Sequence, residues 1–330
     1  MRRRKWSRRE FMRTVGTAGA TAALLGPRAL ARAAEPARGR PLRFGIQTPP
    51  QHTTYQDLVS VWKEADDLGF DSAFAFDHLM PIMSDPTGPC FEGWTLLAAL
   101  AAQTRRLRVG LLVTGNTYRF PALLAKEAAT VDHVSGGRLI LGIGAGWYEQ
   151  EHTAYGIPFY TVGQRARRLG ESVDILKALF TQERTTYRGK YYTITDAPCA
   201  PKALQRPHPP ILVGGMGPKL VQPVAARHAQ IWHFFVRDGD AEKAKALCDG
   251  FDRICRDVGR DPAEVEKATS LRAADLTGPA KEVRARVQAL ADAGVRHVIA
   301  QVSPPFDREA LRRFAKDVMG EMRAGRAGAG

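Results

Sequence analysis

Cysteine is scarce in this chain: Cys90, Cys199, Cys248 and Cys255 are the four among 330 residues, which excludes a fold stapled by disulfides. Cys248 and Cys255 fall on one predicted helix, about 10 Å apart along its axis and beyond disulfide reach, so the four read as buried thiols. No Cys-x-x-Cys pair or Cys/His cluster offers a zinc site, and no Gly-x-Ser-x-Gly elbow marks an activated serine. A membrane span is not expected at the amino end either, because the apolar stretch Val15 to Leu25 is too short for a bilayer.

Acidic residues are too few to balance the basic ones, and the formal charge is +14. Such an excess ordinarily points to nucleic acid. Its location argues otherwise. Residues 1–40 carry eleven Lys and Arg against Glu10 and Glu35, a net +9 that leaves +5 for the remainder. In the same segment Ser7-Arg8-Arg9-Glu10-Phe11-Met12-Arg13 precedes the short apolar stretch, and Ala29-Leu30-Ala31 and Ala31-Arg32-Ala33 offer small-residue cleavage sites. That order is a secretory signal, and the twin arginine resembles a Tat signal. Residues 1–40 are therefore expected to be a Tat-type signal peptide and linker. The precursor would engage the Tat translocation machinery, with the mature protein periplasmic, in the cell envelope or extracellular. A glycine/alanine tail, 323–330, is expected to be flexible.

From residue 41 apolar strand-like runs alternate with amphipathic helical ones. Leu42 to Gln47, Ser72 to Phe76, Leu107 to Val113 and Leu139 to Ile143 read as four strands; Ile211 to Val213, Ile231 to Val236, Lys267 to Leu271 and His297 to Val302 read as four more. Helices are predicted between and after them: Tyr55 to Gly69, Phe91 to Thr104, Pro121 to Ser135, Gly163 to Phe180, Pro218 to His228, Glu242 to Val258, Ala280 to Ala293, and Asp307 to Met322. Thr185 to Ile194 interrupts the alternation as a hairpin turning at Gly189. The pattern indicates an α/β fold, a (β/α)8 TIM-type barrel over 41–322 with an insertion near 181–210 between strands 4 and 5. An open doubly wound sheet with an extra domain is the alternative.

A barrel concentrates its chemistry at the carboxyl ends of the strands. Those ends are Gln47; Asp77-His78; Val113-Thr114-Gly115-Asn116; Gly144-Ala145-Gly146-Trp147, with Glu151 beyond; Gly214-Gly215-Met216-Gly217; His233; Arg272; and Gln301. Asp77-His78 is the reactive pair, since a histidine near neutrality exchanges protons and an adjacent carboxylate can raise its pKa or hold its tautomer. The other strand ends do not supply three His, Asp or Glu ligands, so no metal is expected. Gly214 to Gly217, between a strand and a helix start, suits a phosphate. Neither glycine run fits the dinucleotide fingerprint well.

These segments together resemble the bacterial-luciferase-like monooxygenase superfamily, and within it the coenzyme F420-dependent oxidoreductases. The matching stretches are Phe44 to Gln47; Leu68 to Ser72 leading to Asp77-His78; Gly110 through Pro121; Ser135 through Trp147; Glu151 to Phe159; Tyr187 to Tyr192; and Pro209 to Gly215. The resemblance implies a deazaflavin or flavin ring lying over a bulge in the third strand, with a non-prolyl cis peptide at Leu112-Val113. It implies ring contacts from Asp77, Val113, Gly144 and Gly146, with Gly214 and Gly215 facing the phosphate-bearing tail. Gln47, Leu112, Thr114, Ala145, Trp147 and Met216 complete the implied cofactor-binding set, Trp147 at the rim as a wall for a small-molecule substrate. His78 would give or take the proton that accompanies hydride transfer, and a homodimer is the family habit. Coenzyme F420 is the expected cofactor, with FMN as the alternative in a monooxygenase using O2. An exported binding protein without catalysis is a reading from another class. Trp147 stands where the sugar-phosphate dehydrogenase branch carries glutamate, so that substrate is not expected. Substrate choice is expected to lie in Pro81 to Pro89 and in the 181–210 insertion.

Overall fold

Eight parallel strands close into a barrel in the computed structural model, which describes residues 41–272 and 278–323. The expected signal segment lies outside the described residues, as does all of the expected tail except Arg323. That residue is tied down, with Nη2 2.8 Å from the Asp71 carboxylate and Nη1 3.1 Å from the Gly69 carbonyl.

The first half runs β1 (Arg43–Gln47), α1 (Tyr55–Asp67), β2 (Ser72–Asp77), α2 (Gly93–Gln103), β3 (Arg108–Gly115), α3 (Pro121–Val134) and β4 (Leu139–Gly144). A short helix, α4 (Glu149–Ala154), and the long α5 (Val162–Thr181) follow, and then the antiparallel hairpin β5 (Arg184–Arg188) and β6 (Thr193–Pro198). The barrel resumes with β7 (Ile211–Gly214), α6 (Val221–His228), β8 (Ile231–Phe235), α7 (Ala241–Asp257), β9 (Glu266–Leu271), α8 (Ala280–Asp292), β10 (His297–Gln301) and α9 (Arg308–Arg313). Around the barrel the order is β1-β10-β9-β8-β7-β4-β3-β2, so consecutive barrel strands in the sequence are neighbours in space.

Local chemistry starts and stops these elements. Thr54 caps α1 by accepting the Asp57 N–H, and Leu58, Val61, Trp62 and Ala65 form its buried stripe. Thr161 and Gln164 form a reciprocal capping box at the start of α5. On the same helix Glu171 accepts the N–H groups of Lys190, Tyr191 and Tyr192 at 2.8 to 3.1 Å, which fastens the hairpin insertion to the barrel. The helix predicted at the end of the chain is present from Arg308, and past Arg313 it winds as a π-helix over Phe314–Gly320. Phe314, where that winding begins, is buried between Phe44 and Phe70, with ring centroids 5.9 and 6.2 Å away.

The barrel interior is layered. At the amino ends of the strands, Ser72 Oγ lies 2.8 Å from His297 Nε2, whose Nδ1 is 3.0 Å from Glu266, itself paired with Arg43 at 3.3 Å. Above this polar plug sit Phe74, Leu112, Ile140, Leu212, Ile231, Ala268 and Ile299. Each large side chain buried in this way contributes roughly 1.5–3 kcal/mol. The carboxyl ends remain open.

Candidate functional site

A cavity of 410 Å³ occupies those carboxyl ends, within the range of about 300–1,000 Å³ usual for small-molecule sites. Its floor is set by a bulge. The pairing of β3 shifts register against both neighbours, and within the shift the Leu112–Val113 peptide is cis. Glycines on β4 and β7 make room for it. A Cβ on Gly142 would fall 1.9 Å from the Leu111 carbonyl oxygen, one on Gly144 2.7 Å from Val113 Cγ2, and one on Gly214 2.9 Å from Val113 Cγ1. Gln47 Nε2 donates to the Leu112 carbonyl at 2.8 Å, and Gln301 Nε2 donates to Gln47 Oε1 at 3.2 Å. An apolar bulge flanked by bare backbone and two amides thus forms the floor.

Of the residues singled out from the sequence, Gln47, Asp77, His78, Leu112, Val113, Gly146, Trp147, Gly214, Gly215 and Met216 line the cavity. Thr114, Gly144 and Ala145 do not. The Thr114 hydroxyl donates to Asp77, Gly144 supports the bulge from within β4, and Ala145 packs against the core.

His78 is buried, and its partner is not the neighbour in sequence. Nδ1 lies 2.9 Å from Glu151 Oε1, while Glu151 Oε2 accepts the Leu79 N–H at 2.5 Å and the Tyr118 hydroxyl donates to Oε1. Burial alone would raise the Glu151 pKa; the hydrogen bonds from His78, Tyr118 and Leu79 outweigh it and hold the carboxyl below its usual range. An ionised Glu151 can only accept, so Nδ1 carries the ring proton and the lone pair of the neutral ring sits on Nε2. Nε2 has no hydrogen-bond partner among the described residues, although the ring lines the cavity. The Trp147 and Tyr148 rings stand 5.8 and 6.1 Å from it, edge to face.

Asp77 was expected to serve that ring. Adjacent residues of an extended chain point opposite ways, and Asp77 turns instead to Arg119, with Nη1 at 2.5 Å and Nη2 at 3.2 Å. The same guanidinium pairs with Glu92 and, through Nε at 3.2 Å, with Glu127. Burial drives the Asp77 pKa upward, and Arg119 opposes the rise.

His233 is a third group at the site that strand-end reading noted without assigning a role. It lies on β8, lines the cavity, and holds Nε2 2.9 Å from Ser270 Oγ. Burial, with the charge of His297 adding to it, pushes its pKa down to about 3. The unfolded chain therefore takes up a proton near pH 6.5 that the folded chain refuses until about pH 3. Stability must fall as the pH drops below 6.5, by at most about 1.4 kcal/mol per unit from this residue. His233→Asn, whose amide can still meet Ser270, should lose less stability between pH 6.5 and 5 than the parent in urea titrations. Equal losses in the two proteins would remove this account.

Tyr118 and Glu151 were not assigned to His78 from the sequence. Glu151 stood within reach of the strand-four end, but on a helix of six residues too short to leave a periodic signal.

Comparison with known proteins gives this geometry a family. An F420-dependent glucose-6-phosphate dehydrogenase from Microbacterium testaceum (strain StLB037) is 35% identical over 179 residues, which is 54% of this chain and 52% of that protein. An FMNH(2)-dependent dimethylsulfone monooxygenase from Pseudomonas putida is 35% identical over 158 residues, 48% of this chain and 42% of that one. The chain thus spans about half the length of the curated relatives it matches. Among solved structures, the coenzyme F420-dependent tetrahydromethanopterin reductase of Methanopyrus kandleri superposes with a TM-score of 0.74 over 86% of this chain and 99% of that one, at 17% identity. This likeness shows the shared barrel. Residues 42–275 match the family model described as luciferase-like monooxygenase, and the chain belongs to that family.

Proposed function

We propose that this protein is an F420-dependent oxidoreductase that passes a hydride between the deazaflavin and a small organic substrate, His78 moving the accompanying proton. The observation that carries the reading is the Tyr118–Glu151–His78 constellation beside a floor of glycine backbone and peptide bulge. That floor fits a planar heterocycle: Gly146, Gly214 and Gly215 line it without side chains, and the amides of Gln47 and Gln301 offer polar contacts at its edge. Bound there, F420 would supply a ring carbon that accepts or donates hydride. The chain's own residues do the rest. Glu151 fixes the His78 tautomer so that Nε2 can take or return a proton, Gln47 holds the bulge, and Ile82, Met83 and Trp147 narrow access for water. The backbone N–H groups of Met216 and Gly217, in the turn between β7 and α6, suit the phosphate of the cofactor tail, whereas those of Val221 and Gln222 are taken by the Gly217 carbonyl.

Sequence similarity to F420-dependent relatives supports this cofactor. Similarity of the same degree to the Pseudomonas putida monooxygenase supports a second reading, FMN with O2. Absorbance titration of the purified protein separates them. Saturable binding of F420 is expected, whereas tight binding of FMN with no affinity for F420 would sink the first reading in favour of the second. Export through the twin-arginine signal belongs to the same proposal; a precursor with Arg8→Lys and Arg9→Lys that still left the cytoplasm would remove it.

A further inference from the structure

Ile82 and Met83 line the barrel-mouth cavity, yet the side chain that fixes them in place does not. They end a short segment, residues 79–83, that leaves His78 and is anchored twice. At its start the Leu79 N–H donates to Glu151 at 2.5 Å, and the Leu79 carbonyl accepts the Tyr155 hydroxyl at 2.8 Å. At its end Gln51 closes a two-point clasp: Oε1 accepts the Ile82 N–H at 2.9 Å, and Nε2 donates to the Met83 carbonyl at 3.0 Å. A carboxamide carries an acceptor and a donor side by side, so it matches one backbone N–H and one C=O as a strand edge would.

Gln51 is itself firmly held. It is buried, and its backbone pairs antiparallel with Cys90, flanked by the His52 N–H on the Pro89 carbonyl and the Phe91 N–H on the Pro50 carbonyl, both at 2.9 Å. His52 adds a contact of its own, with Nε2 3.1 Å from the Met83 carbonyl. Beyond Met83 lies a second cavity, of 760 Å³. Pro49, Met83 and Ser303 line both cavities and so form the wall between them. The second chamber is largely polar, with Gln51, His52, Asp57, Ser60 and Arg308 on its walls, whereas Phe76, Ile82, Leu112 and Val113 face the first. Of the three shared residues, proline is rigid and serine short. Methionine is long and turns about three side-chain bonds, so Met83 closes the wall only where its backbone is held.

From the clasp and the shared wall, we infer that Gln51 is a positioning residue: acting through Met83, it keeps the barrel-mouth cavity shut off from the polar chamber beside it. The inference rests on the proposed cofactor site only for what the wall protects; the clasp and the chamber stand without it. With the Gln51 amide removed, the Ile82 N–H and the Met83 carbonyl lose these partners and turn to water. Met83 is then free to swing, and water in the polar chamber gains a second way into the space beside His78 Nε2. Exclusion of water strengthens every electrostatic contact in a reacting site and blocks side reactions, so an opened wall weakens both. Gln51 does not line the barrel-mouth cavity, and its effect passes through the place of Met83.

Acrylamide quenching of the fluorescence of bound F420 tests this. The quenching constant should rise at least about twofold in Gln51→Ala and in Met83→Ala, and no further in the double variant than in Met83→Ala, because both changes open the same wall. An unchanged constant in either single variant would overturn the inference, and Met83→Ala, which leaves the clasp intact, decides it alone if Gln51→Ala does not fold. Independent effects that multiply in the double variant would also overturn it, since Gln51 would then act by a route other than Met83. In the protein without cofactor, hydrogen exchange at the Ile82 N–H should quicken at least about tenfold in Gln51→Ala, and an unaltered rate would remove the clasp. If FMN binds and F420 does not, the same quenching measured on FMN decides the wall while the F420 assignment falls. If F420 binds and its quenching ignores both variants, the cofactor assignment stands and the wall falls.

Discussion

Replacing His78 by Asn should lower turnover roughly 10²–10⁴-fold, the usual worth of a positioned proton donor or acceptor. Asparagine is the informative choice. Its amide nitrogen falls close to the place of the ring Nδ1, so Glu151, which otherwise loses the donor at 2.9 Å, keeps one. What disappears is Nε2, the ring nitrogen that has no hydrogen-bond partner among the described residues. Cofactor affinity should stay within about threefold of the parent, because a group that acts in the transition state contributes little to ground-state binding. Single-turnover absorbance of the bound cofactor measures the step, and a titration with cofactor alone measures the affinity. Unchanged turnover with normal cofactor binding would show that the proton travels by another route.

Arg119→Ala should destabilise the fold by about 3–5 kcal/mol, the usual consequence of removing one side of a buried ion pair. The Arg119 side chain is 11% exposed and serves three carboxylates: Asp77, fully buried, Glu92 and Glu127. Without it Asp77 must stay charged with no cation or take up a proton, and its pKa, already raised by burial, rises further. The sign of the pH dependence follows. Protonation relieves the unpaired carboxylates, so the deficit of the variant should shrink as the pH falls from 7 toward 5. Arg119→Lys should recover part of the loss, since a point charge cannot span three carboxylates as a planar fork does. Urea midpoints at the two pH values decide it. A variant as stable as the parent, or a deficit that grows in acid, would contradict the assignment of Arg119 as the charge that keeps Asp77 in place.

Much of the barrel could be read from the chain because each strand and the helix after it are local events. Alternating periodicities, Thr54 before α1, Pro121 at the start of α3 and Gly69 after α1 act over a few residues, so their meaning survives without tertiary knowledge. The packing of Phe314 does not, because its ring lies against Phe44 and Phe70, more than two hundred residues earlier in the chain. Glycines at strand ends were legible for a similar local reason. A residue type that lacks a Cβ announces close approach, and at Gly144 and Gly214 that approach is to Val113 in the bulge of β3.

The stretch from Leu139 to Trp147 shows where the division falls. Sequence by itself determined that it is a buried strand running into backbone-exposed glycines, and strand order placed it at the barrel mouth with His78. Only the tertiary structure decided which carboxylate serves which group. Glu151 reaches His78 across 73 residues of chain and Tyr118 reaches Glu151 across 33, while Asp77, next to His78, turns to Arg119, 42 residues on. Propensity and periodicity are properties of neighbours along the chain, whereas ion pairs and proton relays belong to neighbours in space. A closed barrel brings eight strand ends together, and that convergence joins residues that no local pattern connects.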